Sequence, residues 1–138
     1  MKAFLILIAL FFIACNDEKI DENYLNTPLK CSINKDICEV SFKGKQVSFE
    51  ILNRPIRFME ESKLIIKGLP KYDNLSLNLY GLNMDMGVIK ADFERLENGD
   101  YESIFVVSSC LLSTMRYRLE LLNNNKKIGL FIDFDMKR

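Results

Sequence analysis

The chain predicts an all-β fold, a sandwich or barrel of about seven to nine short antiparallel strands. Three observations carry this. Beyond Pro28 the apolar stretches are short and are broken by asparagine, glycine or proline every several residues. No long segment there repeats with helical period. Leu75, Leu77 and Leu79 alternate strictly with Ser76, Asn78 and Tyr80, and Ile128, Leu130, Ile132 and Phe134 recur at the same two-residue spacing near the C-terminus. Such alternation buries one face of a strand and leaves the other wet.

Taken in order, residues 29–33 and 37–42 read as two strands joined by Asn34-Lys35-Asp36, whose asparagine and aspartate suit a tight turn. Lys43-Gly44-Lys45 turns the chain again, and Val47, Phe49 and Ile51 mark a half-buried strand. Asn53-Arg54-Pro55 interrupts it; residues 56–59 read as an extended edge piece. Leu64, Ile65 and Ile66 form a strand that ends at Gly68-Leu69-Pro70. After the alternating leucines comes a strand over 88–96, with Ile89, Ala91 and Phe93 on one face. Asn98-Gly99 is a step favoured in hairpin turns, so residues 101–108 pair back. Met115, Tyr117, Leu119 and Leu121 then line one face of a further strand, and Asn123-Asn124-Asn125 turns into the last.

A chain of 138 residues fits one domain, placed here at 29–138. It is 49% hydrophobic with ten phenylalanines and no tryptophan, enough apolar surface for a sizeable core. Lysine plus arginine and aspartate plus glutamate number 19 each, without basic runs, which argues against a nucleic-acid partner. No nucleophile with a base, phosphate loop or catalytic carboxylate pair stands out, so the chain is not expected to be an enzyme. Asp92 and Glu94 share a strand face and read as solvated exterior.

The N-terminus is a targeting segment. Lys2 precedes an unbroken apolar run over 3–13, shorter than the roughly 20 residues of a bilayer-crossing helix. The run ends in Phe12-Ile13-Ala14-Cys15, which resembles the lipobox of bacterial lipoproteins, with Phe12 in place of the usual leucine. Residues 1–14 are thus expected to be a signal peptide and Cys15 the lipidated N-terminus of the mature chain; a plain secreted protein is the alternative. Acyl chains would anchor the domain to a membrane, with polar residues 15–28 as tether. Asn16 after the cysteine, with the aspartate one place later, favours the outer over the inner membrane of a bacterial envelope.

Export makes a disulfide between Cys31 and Cys38 the expected state of that pair. Their spacing is not the C-x-x-C of a thiol oxidoreductase, and a structural staple is the reading adopted. That leaves Cys110 as an unpaired thiol. Gly81-Leu82-Asn83-Met84-Asp85-Met86-Gly87 places two thioethers one residue apart in a glycine-flanked bend. Soft sulfur ligands favour Cu(I), and the chain has no histidine, so a metal site would be built mainly from Met84, Met86, Cys110 and Met115. If 88–96 and 101–108 form a hairpin, the two sulfur pairs fall at one end of the fold. Tyr80 and Tyr117 would screen it. The competing reading makes the methionines adaptable core fillers, or a contact surface for another protein.

The 81–87 run, the Asn98-Gly99-Asp100-Tyr101 hairpin and the segment from Cys110 to Arg118 resemble the periplasmic YtkA-like and FixH-like domains. The resemblance covers about residues 75–134 and is most specific at Met84 and Met86; Cys110 and Met115 match a less uniform part of the pattern. It implies an immunoglobulin-like β-sandwich and a role in copper handling or cbb3-type oxidase assembly. Its implied partners are periplasmic copper chaperones or oxidase-assembly proteins. Unlike FixH proper, this chain lacks a permanent transmembrane helix. The alternative function is a metal-free envelope interaction module.

Overall fold

The computed structural model describes residues 23–109 and 111–138; the expected leader and Cys15 lie outside them. Among the described residues there is one short helix, α1 (Asn23–Asn26), and nine strands. These are β1 (Cys38–Phe42), β2 (Lys45–Ile51), β3 (Glu61–Lys67), β4 (Leu75–Gly81), β5 (Val88–Asp92), β6 (Glu94–Arg95), β7 (Tyr101–Val106), β8 (Thr114–Asn123) and β9 (Lys126–Lys137). They form two antiparallel sheets, ordered β1-β2-β3-β7-β6 and β5-β4-β8-β9.

The fold is an all-β sandwich. With β2 as the first strand of an immunoglobulin domain, β2-β3-β7-β6 reproduces the order A-B-E-D and β5-β4-β8-β9 the order C′-C-F-G. β1 is an added edge strand. The alternating residues meet between the layers: Phe49, Ile51, Leu64 and Ile66 from one sheet, Leu77, Leu79, Leu119, Leu121 and Phe134 from the other, all essentially excluded from water. Each such side chain contributes about 1.5–3 kcal/mol, so the two inner faces hold the layers together.

Two strand expectations change. Residues 29–33 are not a strand: the chain turns at Ser32, whose carbonyl accepts from the Lys35 and Asp36 amides. Asn34 fixes the turn by donating to the Asp135 carbonyl and accepting from the Ile56 amide. Ile33 is fully buried, and the Cys31–Cys38 disulfide ties this coil to the start of β1. The apolar run reflects a plug at the sandwich end, not a ladder.

The expected strand over 88–96 is two. β5 pairs with β4, whereas β6 pairs with β7 in the other sheet, and the crossing falls at Phe93. The Phe93 amide donates to the Leu75 carbonyl and its ring meets Tyr101 edge-on. Period alone cannot reveal a strand that changes sheets, because both halves keep the same alternation.

The end of the polar stretch read as a tether lies against the domain. Arg116 Nη1 donates to the carbonyls of Tyr24 and Thr27, holding α1 and the residue after it on the outer face of β8.

Candidate functional site: the sulfur-bearing pole

β4 delivers the chain into the methionine bend at Gly81, opposite Tyr117 of β8. A side chain at 81 would collide with the methyl of Met115 and the carbonyl of Met84, so glycine is required for the bend to fold down onto β8. The Leu82 amide donates to the Arg116 carbonyl, extending the ladder by one bond. Asp85 Oδ1 accepts from the Gly87 amide, and Gly87 adopts φ 77°, turning the chain into β5.

Asn83 is the anchor. It is 1% exposed, accepts from the Arg116 amide at 2.8 Å and donates to the Thr114 carbonyl at 3.1 Å. One side chain thereby stitches the centre of the bend to the start of β8. Sequence reasoning gave Asn83 no role of its own, because its partners lie more than 30 residues away along the chain.

Met84 and Met86 are half-buried and pack on the core. The Tyr117 hydroxyl lies 3.9 Å from Met86 Sδ and 3.2 Å from the Ser108 carbonyl. With one proton to give, it donates chiefly to the carbonyl, the stronger acceptor, and holds the thioether in contact. Tyr117 stacks on Phe134 with centroids 5.8 Å apart. Met115 is fully buried beneath Gly81. Cys110, two residues past Ser108, lies outside the described residues.

The methionine bend and Met115 at the start of β8 do share one pole, but by a different route from the one expected. The hairpin that was to bring them together does not exist along its length, since β5 and β7 belong to different sheets. The β4–β8 ladder does the work instead, setting Gly81 against Tyr117. Of the two tyrosines, only Tyr117 faces the methionines. Tyr80 points to the outer face, where its hydroxyl donates to Glu120 Oε2 at 3.0 Å.

On that outer face Arg116 is 5% exposed and forms a two-pronged pair with Asp135, at 2.7 and 3.0 Å. The hydrogen bond to Asp135 raises the guanidinium pKa against the opposing effect of burial, so Arg116 stays charged. Its backbone serves the bend and its side chain serves α1. Alternation along β8 turns Arg116 away from the core; the covering by 24–27 comes from far along the chain and left no local trace.

Among the described residues no three histidine, cysteine, aspartate or glutamate side chains gather as metal ligands. No family model, curated protein or solved structure matches the chain. Fold and site define an immunoglobulin-type sandwich with methionines clustered at one end.

Proposed function

We propose that this protein is a lipid-anchored accessory protein of the bacterial envelope that holds Cu(I) at the sulfur-bearing pole and passes it to a partner. Met84 and Met86 supply the accessible thioethers, Cys110 the charge-neutralising thiolate, and Met115 the innermost sulfur. Thioethers are soft and uncharged, suited to holding a monovalent ion that must be released again. The observation that carries the reading is the clamp formed by Asn83 and Tyr117. It draws the methionine bend onto Met115 and to the carbonyl of Ser108, two residues before Cys110. The resemblance to YtkA-like and FixH-like domains points the same way, towards copper chaperones or cbb3-type oxidase assembly as partners.

The test is titration of the purified chain with Cu(I) against a competing chelator. The parent is expected to bind one ion, and Met84→Ala with Met86→Ala to weaken binding at least about tenfold, equivalent to 1.4 kcal/mol. Retention of parental affinity by that double variant, or binding that depends on Cys110 alone, overturns the metal site and leaves the metal-free interaction module.

A further inference from the structure

The large hydrophobic side chains left exposed are unevenly distributed. Ile37, Leu52, Met59, Val88, Val106 and Leu111 all sit at strand ends or loops of the sulfur-bearing pole. Leu111 is 87% exposed and Met59 70%. The other two are close by: Tyr24 adjoins Arg116, and Ile104 lies two residues back along β7. The opposite pole, formed by the turns at 43–44, 68–74, 96–100 and 124–125, carries none of them. A pocket of about 560 Å³ opens between the 32–35 turn, the 55–58 loop and the end of β9. Ile56, Phe58 and Met136 give it apolar walls, and Lys35 and Lys137 stand around it with Arg57, which pairs with Glu60 at 3.6 Å. Its only carboxylate, Asp135, is already held by Arg116.

The geometry points to this pole as a membrane-contacting surface that rests on a phospholipid bilayer containing anionic lipid. Apolar side chains at loop tips enter the acyl boundary while cations meet headgroup phosphates. The inference rests on the lipid-anchored reading of Cys15 and is independent of copper. The anchor favours this face by reach. Eight residue steps separate Cys15 from Asn23, at most about 26–29 Å when fully extended. α1 is pinned at Arg116, two residues into β8. The far end of that strand, Asn123, is seven residues further, about 23 Å away. Turning the opposite pole to the bilayer would use nearly the whole extended link, whereas the apolar pole reaches it with slack. Tethering raises the local concentration of a weakly lipophilic surface, so a few side chains suffice.

The chain has no tryptophan, so a single introduced one reports its own depth. Leu111→Trp and Leu52→Trp mark the apolar pole and Lys71→Trp the other; all three positions are exposed. The full lipoprotein is reconstituted in phosphatidylcholine–phosphatidylglycerol vesicles with brominated acyl chains, and acylation of Cys15 is read from the mass of the N-terminal peptide. Expected is a blue shift and loss of most emission at 111 and 52, with no change at 71. An acylated protein in which all three positions stay bright, or all are quenched alike, overturns the surface and leaves the anchor standing. So does shielding of 111 by a co-purifying protein in place of lipid. An unmodified Cys15 removes the anchored reading itself, and this surface with it.

Discussion

The two poles of the sandwich differ in what their connections expose. At one, β1 and β2, and again β8 and β9, are joined by two-residue turns, with Lys43, Asn124 and Asn125 at positive φ and side chains that face water. At the other, the 52–60 and 82–87 connections are longer, and Leu52, Met59 and Leu111 point outwards. Short turns close a fold cheaply and leave little to recognise. Long loops need fixing, and here the fixing is visible: Asn83 bolts the 82–87 bend, Asn34 the 55–58 loop, and Arg116 the N-terminal segment. The opposite pole has one long connection too, residues 68–74, which the Tyr101 hydroxyl holds by donating to the Pro70 carbonyl and accepting from the Tyr72 amide, so the sulfur-bearing pole is set apart by the apolar side chains it leaves exposed.

The sharpest way to break that contrast is to remove the carboxylate beneath Arg116. Asp135→Ala leaves a guanidinium that is 5% exposed without its two-pronged partner, and because Asp135 itself is partly exposed the cost falls at the low end of that for a buried pair, about 3 kcal/mol. Thermal unfolding is expected to fall sharply, with proteolysis near Tyr24 rising before global unfolding as α1 lifts off. A cost below about 1 kcal/mol would show that the pole does not depend on this latch.

A smaller effect is expected from Asn83→Ala. It strands a buried amide at Arg116 and a carbonyl at Thr114, about 1–3 kcal/mol in denaturant titration. The more telling readout is local. Hydrogen exchange should quicken at Leu82, whose amide donates to Arg116, while the 43–44 turn at the opposite pole keeps its protection. If both regions loosen together, Asn83 is a core residue like any other and the clamp is not local.

These residues also measure how much was legible beforehand. The sheets were, because Leu75, Leu77 and Leu79, or Ile132 and Phe134, bury by period alone, and that period survives any partner. The Cys31–Cys38 staple followed from the expectation of an exported chain with two cysteines flanking a turn, though one of its supposed strands is coil. The gathering of Met84, Met86 and Met115 at one pole was anticipated for a reason that fails, a hairpin that Phe93 breaks between two sheets. Asn83 and Arg116 were out of reach, since each takes its role from partners about 30 to 90 residues away along the chain. Local pattern carries burial; it does not carry which distant polar group comes to cover a side chain.

The smallest expected effect compares the two ends of one charged row on the outer face. Near the sulfur pole the row is buried at Arg116; near the opposite pole it ends in Lys127, mostly exposed, which pairs with Glu120 at 2.9 Å. Tyr80 lies between and donates to the same carboxylate. Burial, reinforced by that hydrogen bond and the negative charge of Glu120, raises the Tyr80 pKa above the usual 10.0. Above pH 10 the unfolded chain therefore loses a phenolic proton that the folded chain keeps, and deprotonation favours unfolding. The stabilisation is fully present below pH 10 and is lost as pH rises through the raised value. Lys127, also raised by Glu120, acts in the same direction but is solvent-exposed and screened by salt. Tyr80→Phe should thus flatten, without abolishing, the fall in melting temperature above pH 10, and the remaining slope should weaken with added salt. An unchanged alkaline slope would mean that the row is solvated along its whole length, and that burial at Arg116 is the work of the N-terminal segment alone.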